Sequence, residues 1–462
     1  MKYISTRGQA PELTFEEAML TGLARDGGLY LPAEIPVMSQ DEIAALAGLP
    51  YEEIAFRVMW PYVSGSFAEE EFKAIIARAY EGFGHDARAP LKQLNENHFL
   101  LELFHGPTLA FKDFAMQLIG QLFQVALKRR GDRVTIVGAT SGDTGSAAIE
   151  AFRGLDAVDV FILFPHGRVS EVQRRQMTTP ADSNVHALAV DGDFDDCQAA
   201  LKDMFNDFDF RDGVKLAGVN SINFARVLAQ IVYYFSAAVS LGAPHRKVSF
   251  TVPTGNFGDI FAGYLAKRMG LPIDRLVVAT NQNDILHRCL SGEGYFKGET
   301  IPSISPSMDI QVSSNFERAL YYAYGEDGSA VAQLMDELKN GGFNVSQGAM
   351  EALRESFDSG RMSEDETLET IKHTLAHSAE LVCPHTAIGV KVGEDHRAAD
   401  TPMITLATAH PAKFPAAVEK ASGEHPPLPS RMSDLYERSE RVTRIANELG
   451  TLEDHIRRHI AE

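Results

Sequence analysis

Twice in this chain a β-branched stretch runs into a turn of small residues and then into a helical pattern. In the first unit Val134-Thr-Ile-Val137 leads into Gly138-Ala-Thr-Ser-Gly-Asp-Thr-Gly145. The helical stretch 146–152 stops at Gly154, and 158–164 reads as the next strand. In the second unit, the strand pattern 248–252 leads into Pro253-Thr-Gly-Asn-Phe-Gly258. A helix over 260–269 then stops at Gly270 and Pro272, and 276–279 follows as a strand. Strand, helix and strand at this spacing make a parallel crossover, since a tight hairpin can join only antiparallel strands. Two such units predict an α/β protein of doubly wound parallel sheets.

The flanking regions differ in character. The first 95 residues carry short helical patterns (15–23, 43–46, 51–59) separated by Gly27-Gly28 and several prolines, so a mainly helical N-terminal part is expected. Residues 291–400 are helical and polar, with helices over 330–338 and 366–377. The segment 404–408 is rich in β-branched and small residues and predicts another short buried strand. The tail, 432–460, alternates charges at helical spacing and predicts a solvated helix.

Composition removes whole classes of function. Of 462 residues, 43 are basic and 63 acidic, a net charge of −20 that repels phosphodiester backbones and anionic lipid. Nucleic-acid and membrane-surface partners are therefore not expected. Residues 227–243, the most apolar stretch, are broken by Gln230 and Ser236 and fall short of the roughly 20 residues of a membrane span. The opening residues lack an apolar core of the signal-peptide kind, so a cytoplasmic protein is expected. Cys197, Cys289 and Cys383 are widely spaced and contain no CxxC, against both a disulfide framework and structural zinc. The pairs His373/His377 and His455/His459 have the i,i+4 spacing of zinc ligands without an HExxH motif. The acidic run 191–196 lacks the glycine and the final acid of a calcium loop. No metal is expected.

Three segments carry candidate chemistry. Each glycine turn exposes backbone N–H groups at the positive end of a helix dipole, a ready anion site. Neither is a Walker A or GxGxxG motif. Two in one chain favour a ligand with two anionic groups, or a cofactor phosphate plus a substrate anion. In the second segment, the apolar spacing of Phe111, Phe114, Leu118 and Leu122 predicts a helix starting near Thr108 with Lys112 in its first turn. The dipole and apolar neighbours would lower that amine's pKa and keep it nucleophilic. The alternative is a solvated lysine countered by Asp113. Thirdly, Thr408, His410 and Lys413 follow a buried strand, where a doubly wound sheet presents ligand-binding groups; the alternative is an ordinary strand-to-helix loop.

The chain resembles the threonine synthases of the longer bacterial and fungal kind, fold type II enzymes that use pyridoxal 5′-phosphate. The matching pieces run in order: Thr6-Arg-Gly8, Asp26-Gly-Gly-Leu-Tyr-Leu-Pro32, His105-Gly-Pro-Thr-Leu-Ala-Phe-Lys-Asp-Phe114, Ala139-Thr-Ser-Gly-Asp-Thr-Gly145, Asn220-Ser-Ile-Asn223, Pro253-Thr-Gly-Asn-Phe-Gly-Asp259 and Thr408-Ala-His-Pro-Ala-Lys413. The resemblance implies two doubly wound parallel-sheet lobes beside the helical N-terminal part. Residues 96–130 and 221–462 would form the larger, cofactor-binding lobe, and 131–220 the smaller one.

Residue by residue, Lys112 would form the Schiff base with the cofactor aldehyde. Thr254, Gly255, Asn256, Phe257 and Gly258 would hold the cofactor phosphate, and Thr408 the pyridine nitrogen. Thr140, Ser141, Gly142, Asp143 and Thr144 match the loop that binds the substrate carboxylate and contacts the cofactor's 3′ oxygen. Many fold type II enzymes have Asn at Asp143, and a carboxylate cannot donate the hydrogen bond that an amide can. The implied reaction converts O-phospho-L-homoserine and water to L-threonine and phosphate, with lobe closure over the substrate. Lys413 is the first candidate for the substrate phosphate, followed by Arg226 and Arg168, with Ser305, Ser307 and Asn315 as further donors. Rival readings are a related phospholyase that releases an oxo-acid, and a non-catalytic ligand-binding paralogue. The sequence leaves the oligomeric state open.

Overall fold

A computed structural model of the chain describes residues 1–460. Two parallel sheets organise it. The larger has six strands in the order Phe357–Arg361, Ile273–Thr280, Val248–Pro253, Met403–Ala407, His98–Glu102 and Leu91–Asn95. All neighbours are parallel except the last pair, which is a hairpin. The smaller has five parallel strands in the order Thr443–Ala446, Val185–Asp191, Val158–Pro165, Val134–Ala139 and Leu216–Ala217. The central strands Val158–Pro165, Val248–Pro253 and Met403–Ala407 are buried at every position. Helices cover both faces of such a sheet, which is why these strands read as continuous apolar runs without alternation.

Both crossover units form as their sequences predict, with helices Asp143–Phe152 and Gly258–Arg268 between their strands. The N-terminal part is mainly helical, and the helices starting at Phe15 and Gln40 open with capping boxes, Thr14 with Glu17 and Ser39 with Glu42. It is anchored to the helix Phe316–Ala323. Thr6 Oγ1 donates to Glu317 at 2.6 Å, Arg7 pairs with Glu317 at 3.0 Å, and the buried Arg318 donates to the carbonyls of Tyr30 and Ile222. The motifs around Thr6 and Asp26 therefore serve this joint.

Three expectations need correction. The polar region 291–400 also contains the strand Phe357–Arg361, which extends the larger sheet beside Ile273–Thr280. Its residues, Phe-Asp-Ser-Gly-Arg, carry little β signal, and sheet pairing overrides propensity here. The tail is not one solvated helix. It supplies the edge strand Thr443–Ala446, paired with Val185–Asp191, and then a helix, Leu449–His459, whose Leu452 and Ile456 are buried in the smaller lobe's core. That also places 443–459 with the smaller lobe instead of with 221–442. Likewise Leu91–Asn95, counted with the N-terminal part, hydrogen-bonds into the larger sheet. Among the described residues no helix is long and apolar enough to cross a membrane.

Candidate active site

The strands Val248–Pro253 and Met403–Ala407 lie side by side, so the turns after them, 254–257 and 408–410, open at one carboxyl edge. That edge is where a doubly wound sheet binds ligands. A cavity of about 90 Å³ sits there, lined by Lys112, Asp143, Thr144, Arg226, the turn 254–258 and Thr408, among others. Backbone hydrogen bonds join two of its walls: Phe111 N–H donates to the Thr408 carbonyl at 2.8 Å, and His410 N–H to that of Leu109 at 3.0 Å.

Lys112 is the first residue of the helix Lys112–Arg130, which begins four residues later than the apolar spacing suggested. Residues 106–110 instead form a turn that Asp113 holds from inside, accepting from Thr108 N–H at 2.8 Å and Thr108 Oγ1 at 2.6 Å. A Cβ at Gly106 would run into Asp113, so this turn needs glycine for clearance. Asp113 thus does not counter Lys112, and the solvated-lysine alternative fails, because Lys112 is buried. Its partner is Asp143, with Nζ 3.3 Å from Oδ2. Burial lowers the amine's pKa, helped by the nearby charges of Lys413 and Arg226 and opposed by Asp143.

Asp143 opens the helix Asp143–Phe152 after Gly142, whose φ of 135° is open to glycine and strained for other residues. Its Oδ1 lies 2.9 Å from Lys413 Nζ and accepts from Gln173 Nε2 at 2.9 Å, while Ser307 Oγ donates to Oδ2 at 3.3 Å. Burial alone would raise the carboxyl's pKa. Lys413, Lys112 and Gln173 outweigh that and hold it well below the usual range, so Asp143 is ionised. Thr140 Oγ1 accepts from the N–H groups of Gly142 and Gly145, both at 2.9 Å, which shapes the loop from within.

The turn 254–257 is held by segment 313–315. Ser313 Oγ donates to the Gly255 carbonyl at 2.6 Å, and Asn315 N–H to that of Asn256 at 3.0 Å. Phe257 takes the left-handed conformation, with φ 61°. The first-turn N–H groups of the Gly258–Arg268 helix have no partner within it and point to where an anion would sit.

Of the three cations proposed for a substrate phosphate, the structure separates each from the others. Lys413 is fully enclosed and committed to Asp143 and to the Thr108 carbonyl at 2.7 Å. Arg168 is 64% exposed, 3.9 Å from Asp193, and does not line the cavity. Arg226, in the first turn of the helix Phe224–Ser240, is buried and lines it. Its guanidinium donates to the Val219 carbonyl at 3.3 Å and makes no ion pair among the described residues; burial pushes it down to about 10. Ser307 also lines the cavity, whereas Ser305 bonds Asn281 and Asn315 bonds the Ser221 carbonyl. Ser141 and Thr140 lie in the loop behind Thr144 and do not line the cavity.

Sequence reasoning missed His385, Gln230 and Asp259 as cavity residues. His385, at the start of the helix Pro384–Asp395, accepts from Ser307 N–H through Nε2 at 3.3 Å. Burial pushes it down to about 4, so it is neutral. No local signal marks it, since only the crossing of that helix over the sheet brings it in. Asp259 did have a signal, as the acid that follows the glycine turn.

A buried amine of lowered pKa, a helix-terminal anion seat and a guanidinium without an ion partner among the described residues, enclosed together, suit a ligand with an aldehyde and a phosphate. The fold and the site define a pyridoxal-phosphate-dependent enzyme, and residues 85–333 match the family of that description. Residues 2–80 match the threonine synthase N terminus, and 386–456 the threonine synthase C-terminal family. A threonine synthase of Pseudomonas aeruginosa is 57% identical, aligned over 99% of this chain and 98% of its own. The crystal structure of PLP-bound threonine synthase from Brucella melitensis superposes with a TM-score of 0.98 at 56% identity, covering 99% of each chain. That of yeast threonine synthase superposes at 0.93 and 40% identity, over 99% of this chain and 98% of its own. The chain belongs to the threonine synthase family.

Proposed function

We propose that the protein converts O-phospho-L-homoserine and water to L-threonine and phosphate in the cytoplasm, with Lys112 as the catalytic base. When bound, pyridoxal phosphate supplies a conjugated electron sink for the pair left at the substrate's Cα. The chain's own residues supply the rest. The turn 254–258 would hold the cofactor phosphate, and Thr408 would hold its ring nitrogen. Lys112 is the buried amine placed to take the Cα proton and to return one. Asp143 stays charged and holds that amine on the cavity side. The first turn of the Asp143–Phe152 helix, reached at Thr144, takes the substrate carboxylate. Arg226 takes the substrate phosphate, since it is the cavity cation without a carboxylate of its own. The enclosure keeps bulk water from intermediates that it would destroy.

The observation that carries this reading is Lys112 itself, buried and facing the anion turn across one small cavity. Three measurements test it. Lys112→Ala should lower turnover by roughly 10³-fold or more, and borohydride should fix the cofactor to Lys112 of the parent protein. A colourless, unlabelled protein after incubation with pyridoxal phosphate would mean a binding paralogue. Product analysis on O-phospho-L-homoserine should show threonine; 2-oxobutanoate as the main product would make the protein a phospholyase.

A further inference from the structure

Gln230 sits one turn past Arg226 on the helix Phe224–Ser240 and lines the same cavity. It is 3% exposed, yet no hydrogen bond among the described residues engages its amide. Nor are its amide atoms sealed inside the protein, as Gln117 Nε2, Gln124 Oε1 and Gln176 Oε1 are. The little surface that Gln230 keeps therefore opens into the cavity. A buried amide costs free energy until something hydrogen-bonds it, so this one calls for a polar group of a ligand.

The helix sets which group that is. Residues four apart share a face, with Cβ atoms about 6 Å apart, and side chains lean toward the helix N-terminus. Gln230 thus leans back over the turn that carries Arg226. On its other side Tyr233 is spent on Asp259, donating to Oδ1 at 2.5 Å. The Arg226 guanidinium donates to the Val219 carbonyl and has no ion partner among the described residues. We propose that Gln230 is a specificity-determining residue for the substrate phosphate: its Nε2 donates to a phosphate oxygen beside those that Arg226 holds. The inference rests on Arg226 as the cation of that phosphate. A phosphate dianion has three terminal oxygens, and a guanidinium fork covers two of them. An amide covers the third without adding charge. Another cation in its place would depress Lys112 further, since Lys413 and Arg226 already act against that amine's protonation. The cofactor phosphate does not call for Gln230, because the turn 254–258 offers it backbone N–H groups.

The test compares two ligands of the holoenzyme that differ only in the phosphorus group. 2-Amino-5-phosphonopentanoate is the substrate with CH2 in place of the ester oxygen, and L-norvaline is the same amino acid without the phosphonate. Each is titrated against the cofactor's visible band. Gln230→Met keeps the length and removes the amide. It should weaken the phosphonate roughly 10- to 100-fold and norvaline by less than about twofold. KM for O-phospho-L-homoserine should rise by a larger factor than kcat falls. Gln230→Glu serves if Gln230→Met does not fold, and it should weaken the phosphonate further, because a carboxylate there would pair with Arg226 and repel the phosphate. A packing role alone would leave this near-isosteric change closest to the parent protein. Unchanged phosphonate affinity in Gln230→Met, or equal losses for both ligands, overturns the inference. So does loss of the visible band, which would put the amide on the cofactor instead. Arg226→Ala tells the two assignments apart. If it weakens the phosphonate while Gln230→Met does not, only the inference falls; if it leaves the phosphonate's affinity unchanged, the phosphate's cation is misassigned and the inference falls with it.

Discussion

Lys413 and Asp143 are 270 positions apart in sequence and form a buried ion pair that also faces Lys112. Removing one partner of such a pair strands the other charge. Asp143→Asn should therefore destabilise the protein by about 3–5 kcal/mol. The Asp143→Asn/Lys413→Met double variant should recover part of that loss in urea unfolding, because no orphaned ammonium remains. An additive loss would mean that the two residues act independently. For Arg226→Ala the expected result is a raised KM for O-phospho-L-homoserine with the cofactor's visible band retained; loss of the band would reassign Arg226 to the cofactor phosphate. At this scale the sequence was only partly legible. Lys112 could be singled out by its place at a helix start, and the glycine turns by their composition. That Lys413 is spent on Asp143 while Arg226 has no carboxylate partner among the described residues depends on which carboxylates fold against each, and no spacing along the chain encodes that.

Elements show a different division. Gly120 lies mid-way along the Lys112–Arg130 helix, where glycine lowers helix stability by about 1 kcal/mol relative to alanine. Its reason is contact. A Cβ there would overlap the backbone carbonyl of Ala151 on the Asp143–Phe152 helix. Gly120→Ala should consequently destabilise by about 1–3 kcal/mol instead of stabilising, as read by thermal unfolding. A rise in Tm would show that the two helices can part without loss. The crossover helices and central strands were legible because each must bury a continuous apolar face. The edge strands Phe357–Arg361 and Thr443–Ala446 were not. An edge strand is held largely by main-chain hydrogen bonds to its neighbour, which any sequence can make.

Over the whole molecule, His98, His385 and His410 are each pushed down to about 4 by burial. In the unfolded chain they titrate near their ordinary value of about 6.5. Between those values the unfolded state binds more protons, so stability rises with pH through the window and is lost as pH falls from about 6.5 towards 4. Urea midpoints across that range should fall with acid, and His98→Gln should flatten the slope; a flat profile for the parent protein would contradict their burial as neutral rings. The lobes also depend on the tail. Deleting residues 443–462 should weaken the smaller lobe and with it activity, although no site residue lies there, because Ile445, Leu452 and Ile456 belong to that lobe's core. By itself the order of residues determined the parallel α/β architecture, the two glycine turns that open helices and a lysine at a helix start, since these follow from local periodicity, turn chemistry and helix position. Only the tertiary structure decided which charges are paired, that His385 and Asp259 face the same cavity as Lys112, and where the tail docks. Those outcomes depend on contacts between residues 31 to 305 positions apart, as with Lys112 and Asp143 or Thr108 and Lys413, and on burial that exists only once the lobes have closed around them.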